Sequence, residues 1–266
     1  MLPPLRHRGG DRRAENGRKA GQVTVGPARR GAIVIGASSG IGRELAVLLA
    51  RKGYSVAVAA RRIELLEELA GDTPGIDHVC AMDVSEPERA ISILRSLLDD
   101  MARVEFVVIS AGTGFLNPEL NWVKEVETID VNVTGFAAVA GEAMRYYLEV
   151  GRGHLVGITS IAALRGGRLT PAYNASKAFE SSYLDALRLK AIHAGADVTV
   201  TEIQPGLVDT AMAQGENLFW LAPPAKAARQ IMRAIERKKK RAYITKRWRL
   251  VAWFFKLAPD RLVARK

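Results

Sequence analysis

A tyrosine and a lysine that could move a proton stand four residues apart in the segment Tyr173-Asn174-Ala175-Ser176-Lys177. On a helix, this spacing places both side chains on one face, about one turn from each other. A lysine ammonium beside a phenol stabilises the phenolate, so the phenol can donate and accept a proton near neutral pH. The pair therefore predicts proton transfer at an oxygen, as the interconversion of a carbonyl and an alcohol requires.

A serine upstream of this pair adds a hydrogen-bond donor. Ser160 closes a predicted strand that ends Gly157-Ile158-Thr159-Ser160, and the alternation of side chains along a strand points Thr159 away from the face that Ser160 uses. The Ser160 hydroxyl can bond the same substrate oxygen that Tyr173 protonates. Such a donor is most effective where negative charge develops during the reaction.

A glycine-rich segment, Gly36-Ala37-Ser38-Ser39-Gly40-Ile41-Gly42, joins the first predicted strand to a predicted helix. Glycines permit a tight turn and let a cofactor approach the backbone, while the helix N-terminus attracts a pyrophosphate. The segment therefore predicts a dinucleotide site. Its candidate contacts are Gly36, Ser38, Ser39, Gly40, Ile41 and Gly42.

The end of the second predicted strand, Val58-Ala59-Ala60-Arg61-Arg62, indicates which dinucleotide binds. In dinucleotide-binding folds that use NAD, an acidic residue stands at the corresponding point, near position 60 here, and bonds the ribose diol. Alanine stands there instead, and a guanidinium suits the 2′-phosphate of NADP(H) through bidentate, charge-assisted bonds. NADP(H) is therefore the predicted cofactor, with Arg61 as the main contact. The alternative is that Arg62 only begins a solvated helix.

These motifs lie on a regular alternation of short apolar strands and helical segments. Strand–helix alternation predicts an α/β fold: a single-domain, Rossmann-like, doubly wound parallel sheet of about seven strands with helices on both faces. The predicted strands are 32–36, 55–60, 78–82, 104–110, 154–160, 197–204 and 242–245. The predicted helices are 41–52, 63–70, 87–101, 122–150, 172–194 and 225–238.

In this order, the motifs resemble the classical short-chain dehydrogenase/reductase family over about residues 31–245. The resemblance implies an NADP(H)-dependent oxidoreductase that interconverts a carbonyl and a secondary alcohol, with Asn132, Ser160, Tyr173 and Lys177 as catalytic residues. Tyr173 would be the general acid and base, and Lys177 would also hold the cofactor ribose. Asn132 would kink its helix and hold a water that relays protons to Lys177. The resemblance further implies a homo-oligomer, a dimer or a tetramer.

The resemblance extends the predicted cofactor site beyond the glycine-rich segment. Asp83 matches an aspartate that contacts the adenine, and Val208 and Thr210 match the contacts of the nicotinamide half. Ser110 departs from the asparagine that family members often carry before Ala-Gly. The additional cofactor contacts are Asp83, Val84, Ala111, Gly112, Asn132, Tyr173, Lys177, Pro205, Gly206, Val208 and Thr210.

The net charge of +11 belongs to the two ends of the chain. Residues 1–30 carry +6 and residues 226–266 carry +13, whereas residues 31–225 carry −8. A nucleic-acid-binding domain carries its basic patch on the folded body, so no nucleic-acid partner is predicted. Residues 1–30, rich in Gly, Arg and Pro, are predicted to form a disordered leader, although a start assigned too far upstream would look the same.

Residues 246–266 are predicted to form a basic amphipathic helix, because Leu250, Trp253, Phe254 and Leu257 follow helical spacing. Two interpretations stay open. With its cations and with Trp248, the helix could lie on an anionic membrane surface, or it could dock on its own domain or on a partner subunit. A single cysteine, Cys80, and the lack of an apolar signal segment favour a cytoplasmic protein, peripherally membrane-associated in the first interpretation.

The substrate is expected to be a small or lipophilic carbonyl or alcohol compound. Apolar side chains near the predicted site suggest an apolar pocket, against the alternative that they are core residues: Phe115, Leu116, Leu164, Leu218, Phe219 and Trp220. The four histidines show no ligand spacing, so no metal site is predicted. Two other functions remain as alternatives: a non-catalytic NADP-binding sensor or scaffold, and a membrane-surface protein that acts through its basic tails.

Overall fold

Seven parallel strands form one sheet in the order β3-β2-β1-β4-β5-β6-β7 in the computed structural model, which describes residues 29–209, 220–245, 247–248, 250 and 259. The strands are β1 (Gly31–Ile35), β2 (Ser55–Ala60), β3 (Ile76–Ala81), β4 (Val104–Ile109), β5 (Arg152–Ile158), β6 (Asp197–Pro205) and β7 (Arg241–Ile244). The strand order reverses between β1 and β4, which is where open α/β sheets bind ligands. The predicted doubly wound sheet is confirmed.

Seven α-helices cover the sheet within the described part of the chain. They are α1 (Gly40–Arg51), α2 (Ile63–Asp72), α3 (Pro87–Asp100), α4 (Trp122–Ile129), α5 (Phe136–Val150), α6 (Pro171–His193) and α7 (Pro224–Glu236). The helix predicted over residues 122–150 is divided, since a π-helical turn (Asp130–Gly135) separates α4 from α5. π-helical turns of this kind occur often at functional sites, and this one carries Asn132.

The central strands are apolar along their whole length because helices cover both faces of the sheet. Along β1, Ala32 and Val34 pack into one buried cluster, which also receives α1 and α7. Ile33 and Ile35 pack into a second cluster, which receives α3, α5 and α6. The sheet is thus held from both sides, and the carboxyl ends of its strands form a fixed rim.

Several predicted segments lie outside the described residues. These are the leader up to residue 28, Thr210 with residues 211–219, and most of the predicted C-terminal helix. Arg29 and Arg30, next to β1, form ion pairs with Asp77 at 2.9 Å and with Glu105 at 3.0 Å. Within the described residues, no helix has the length and apolar character needed to cross a membrane.

A nearly buried carboxylate joins α3 to α5. The side chain of Glu142 accepts hydrogen bonds from Arg145 at 2.6 Å and from Arg95 on α3 at 3.0 Å, and only 5% of it is exposed. The hydrogen bonds from Arg145 and Arg95 lower the pKa of Glu142 to about 2, against the opposing effect of burial. The ionised form is therefore the one that stabilises the helix pair.

We expect Glu142→Gln to lower the free energy of unfolding at pH 7 by about 1–2 kcal/mol, because both half-exposed guanidiniums lose their shared carboxylate. The folded-state pKa lies below the unfolded value of 4.5, so the contribution is present above pH 4.5 and is lost as the pH falls toward 2. The difference between the two proteins in urea unfolding should therefore shrink over this range. Glu149→Gln removes an exposed partner of Arg145 and should cost less than about 0.5 kcal/mol. An equal difference between wild type and Glu142→Gln at every pH would contradict this account.

Candidate active site

A cavity of about 750 Å³ opens at the carboxyl ends of the central strands, where the strand order reverses. Most of the residues predicted from the sequence line it: Gly36, Ser38, Ser39, Gly40, Ile41, Arg61, Arg62, Asp83, Val84, Ala111, Gly112, Ser160, Tyr173, Lys177, Pro205, Gly206 and Val208. Gly42 and Asn132 are buried behind this wall, and Thr210 lies outside the described residues. The dinucleotide motif and the proton-transfer pair therefore open into one space.

The glycine-rich turn at one end of the cavity has the shape that a diphosphate needs. Gly36 has a φ of +89°, and a Cβ atom there would lie 2.6 Å from the carbonyl carbon of Ser110 and 2.7 Å from the Cα of Ala111. Helix α1 begins at Gly40, and within the described structure the Ser39 side chain makes no capping hydrogen bond. Ser39 therefore leaves the first amides of α1 uncapped, and the N-terminus of a helix favours an anionic ligand.

Arg62 is the exposed N-cap of α2, and its side chain folds back onto the glycine-rich turn. Its Nη2 donates to the hydroxyl of Ser38 at 2.9 Å and to that of Ser39 at 3.0 Å. Arg61 lines the same end of the cavity, next to Ala60 at the end of β2. The Arg62 guanidinium thus meets two hydroxyls at the end of the cavity that Arg61 also lines.

Tyr173 lies in the first turn of α6, and its ring packs directly on Gly114. A Cβ atom on Gly114 would lie 2.5 Å from Cδ2 of Tyr173 and 3.0 Å from its Cγ. The loop after β4 therefore fixes the ring position, and it can do so only with glycine at this point. The sequence analysis did not identify Gly114 as a site residue. The signal available in the sequence was this second glycine, two residues after Gly112 in Gly112-Thr113-Gly114.

Ser160 stands on the same cavity wall as Tyr173, and Asn174 holds the two segments together. The Asn174 side chain donates to the carbonyl oxygens of Ala162 at 3.1 Å and Arg165 at 2.7 Å, in the loop that follows β5. The hydroxyl of Thr159 turns away to Glu202 at 3.1 Å, in line with the predicted alternation. Sequence reasoning had not given Asn174 a role.

Asn132 is fully buried in the π-helical turn, and its amide is occupied by protein groups. Its Oδ1 accepts from the backbone N–H of Thr113 at 2.9 Å, and its Nδ2 donates to the Thr113 carbonyl at 2.7 Å and to the Ser176 hydroxyl at 3.0 Å. The side chain therefore ties the loop after β4 to α6. This is the loop that carries Gly114.

Lys177 is buried one turn after Tyr173 and is paired with a carboxylate that the sequence analysis did not single out. Its Nζ donates to both oxygens of Glu180, at 2.8 Å and 2.9 Å, and lies 5.8 Å from the centroid of the Tyr173 ring. Lys177 is 3% exposed and Glu180 is not exposed at all. The spacing of three residues is the signal that could have predicted this ion pair.

Trp248 contributes to the cavity from the segment after β7, which for this residue agrees with docking on its own domain and not with a membrane surface. It is 3% exposed, lines the cavity and lies against Gly206, where a Cβ atom would meet the indole ring. Among the residues proposed for an apolar pocket, Phe115 and Leu116 also line the cavity. Leu164 and Trp220 are not among its described lining residues, and Leu218 and Phe219 lie outside the described structure.

Comparisons with known sequences match this chain to a dehydrogenase family and to oxidoreductases. A family model described as short chain dehydrogenase matches residues 30–219. An uncharacterized oxidoreductase of Myxococcus xanthus is 37% identical over 193 residues, which are 71% of this chain and 76% of that protein. An uncharacterized oxidoreductase of Mycobacterium tuberculosis is 30% identical over 232 residues, which are 84% of this chain and 90% of that protein.

Solved structures share the fold at lower sequence identity. A short-chain dehydrogenase from Sphingobium yanoikuyae in complex with NADPH has a TM-score of 0.73 at 21% identity, over 84% of this chain and 92% of that one. An alcohol dehydrogenase from the archaeon Thermococcus sibiricus complexed with 5-hydroxy-NADP has a TM-score of 0.71 at 24% identity, over 81% and 96%. Within the described residues, no group of three or more His, Cys, Asp or Glu side chains is placed to hold a metal ion.

Proposed function

The chain belongs to the short-chain dehydrogenase family, and from that premise we propose that it is an NADP(H)-dependent oxidoreductase that interconverts a carbonyl and a secondary alcohol. The observation that carries the proposal is the shared cavity, in which Ser160, Tyr173 and Lys177 face the same space as the glycine-rich turn. Phe115, Leu116 and Trp248 give that space apolar walls, which suits a small or lipophilic substrate.

The residues around the cavity fit an NADP(H) molecule. The uncapped start of α1 would hold the diphosphate, and Ser38, Ser39, Arg61 and Arg62 would hold the 2′-phosphate. When bound, the cofactor supplies or accepts the hydride at the carbon atom of the substrate. The protein supplies the proton and the position of the substrate.

Tyr173 would donate its phenolic proton to the substrate oxygen during carbonyl reduction, and its phenolate would take a proton from the alcohol in the reverse direction. Ser160 would donate a hydrogen bond to the same oxygen as negative charge develops there. The Lys177 ammonium would stabilise the phenolate from the same helix. Both amide hydrogens of Asn132 are donated, to Thr113 and Ser176, so a relay water held by this residue would donate to one of its oxygen atoms.

The test of this function is consumption of NADPH with a panel of aldehydes and ketones, with identification of the alcohol product. We expect turnover of at least one lipophilic carbonyl compound, and absorbance of NADPH follows it directly. Tight NADPH binding without turnover across the panel would favour the alternative of a non-catalytic NADP sensor or scaffold. A sensor would need the binding half of the cavity but no proton donor.

The choice of cofactor gives a separate expected result. Arg61→Ala and Arg62→Ala should each weaken NADPH binding roughly 10- to 100-fold and leave NADH binding almost unchanged, because only NADPH carries the 2′-phosphate. Fluorescence titration with both cofactors measures the two Kd values. Arg51→Ala, at the opposite end of α1, is the matched control and should change neither. Equal weakening of both cofactors would assign the two arginines a structural role.

A further inference from the structure

The carboxylate of Glu180 has no place in the chemistry described above, yet it binds the lysine that the chemistry needs. Both of its oxygens accept from Lys177 Nζ, and neither side chain is open to solvent. An ion pair on a helix surface would contribute little, but a buried pair fixes both groups in place. Glu180 therefore controls where the ammonium lies and how much of its charge is compensated.

The groups around Glu180 leave Lys177 as its compensating cation. Glu202 on β6 is equally buried and faces Glu180, but it has its own partners: Arg241 on β7 at 2.5 Å, Gln204 at 2.6 Å and Thr159 at 3.1 Å. Glu202 and Arg241 thus neutralise each other. The charge that Tyr173 experiences from this region depends on the Lys177–Glu180 pair.

We propose that Glu180 is a positioning residue that holds the Lys177 ammonium and, by losing or gaining a proton, decides how much of its positive charge acts on Tyr173. With Glu180 protonated, the full charge of Lys177 stabilises the Tyr173 phenolate. With Glu180 ionised, the pair is close to neutral and the phenolate loses that support. The consequence for hydride transfer rests on the proposed function, whereas the charge coupling itself does not.

Both protonation states of Glu180 are accessible near neutral pH. Burial raises the pKa of Glu180 to about 7 against the attraction of Lys177, and Glu202 adds to the rise. The buried Glu180 carboxyl would therefore exchange its proton near neutral pH.

The direct test measures ionisation of Tyr173 in the cofactor-free protein by ultraviolet absorbance of tyrosinate. The contribution of Tyr173 is the difference between each protein and its Tyr173→Phe counterpart. We expect Glu180→Gln to move the midpoint of this titration to lower pH by at least about 0.5 unit, because a buried negative charge has been removed. An unchanged midpoint, or a shift to higher pH, would overturn the proposal.

Three further variants separate charge from packing. Glu180→Met also removes the carboxylate and should give the same shift, so it replaces Glu180→Gln if that variant folds poorly. Glu180→Asp keeps a carboxylate and should keep the wild-type midpoint. Asp185→Asn removes a surface carboxylate from the same helix, where it pairs with Lys240 at 3.2 Å, and should leave the midpoint unchanged.

Enzyme kinetics then connects the titration to function. With a substrate found in the panel, the acid limb of kcat/KM for alcohol oxidation should shift to lower pH in Glu180→Gln by the same amount as the tyrosinate midpoint. A shifted midpoint without any turnover would support the charge coupling and count against the proposed activity. Turnover with an unshifted midpoint would retain the activity and reject the role of Glu180.

Discussion

Tyr173→Phe is expected to lower kcat/KM for carbonyl reduction about 100- to 10,000-fold while NADPH binds with nearly unchanged affinity. The substitution removes the phenolic proton but keeps the ring, whose packing on Gly114 needs no hydroxyl. Steady-state rates with a carbonyl compound from the panel measure the first quantity. Fluorescence titration with NADPH measures the second.

Tyr183→Phe is the matched control for this loss. Tyr183 lies on the same helix, with its ring stacked on Phe179 at a centroid distance of 5.5 Å, and its hydroxyl can be removed without touching the cavity wall. Its kcat/KM should stay close to that of the parent. If Tyr173→Phe retained activity within about tenfold of the parent, Tyr173 would not be the general acid.

Gly36→Ala should have the second largest effect, because it combines backbone strain with a collision. Alanine at a φ of +89° costs about 1–2 kcal/mol, and the displaced backbone at Ser110 and Ala111 adds about 1–3 kcal/mol. We therefore expect a loss of about 2–5 kcal/mol in the free energy of unfolding. NADPH affinity should fall about tenfold or more, because the shifted segments form the cofactor end of the cavity.

Gly53 offers a control with almost the same backbone and no collision. Its φ is +85°, and no described atom lies within 4 Å of a Cβ built there. Gly53→Ala should therefore cost only the strain, about 1–2 kcal/mol, and should leave NADPH binding unchanged. Urea unfolding and NADPH titration of both variants separate the two costs. If both variants lost the same free energy of unfolding and the same NADPH affinity, the collision with Ala111 would contribute to neither loss.

The periodic parts of the sequence predicted the fold well. For the strands and helices predicted up to residue 245, each boundary lies within two residues of the observed one, apart from the division of helix 122–150. Buried parallel strands are almost continuously apolar, and helices show a different period, so local pattern and global fold agree. The division at the π-helical turn has no such pattern, because Asp130–Gly135 is an ordinary helical sequence.

The site was predictable where a motif has fixed local geometry and unpredictable where distant segments meet. The spacing of Tyr173 and Lys177 defines one helix face, whereas the contact of Gly114 with the Tyr173 ring depends on how a loop after β4 meets α6. Glu180 shows the same limit. Its spacing from Lys177 predicts an ion pair but does not predict that the pair is buried. Its complete burial follows only from the packing of α6 against β6.

Trp248 lies after the last strand of the sheet and still forms part of the cavity wall. A protein cut after β7 would keep the whole sheet and every residue proposed to transfer a proton, but it would lose the indole that covers Gly206. A smaller side chain at residue 248 would open the wall of the cavity next to Gly206. Substitution of Trp248 alone would therefore change the shape of the cavity while the residues proposed to transfer a proton stay in place.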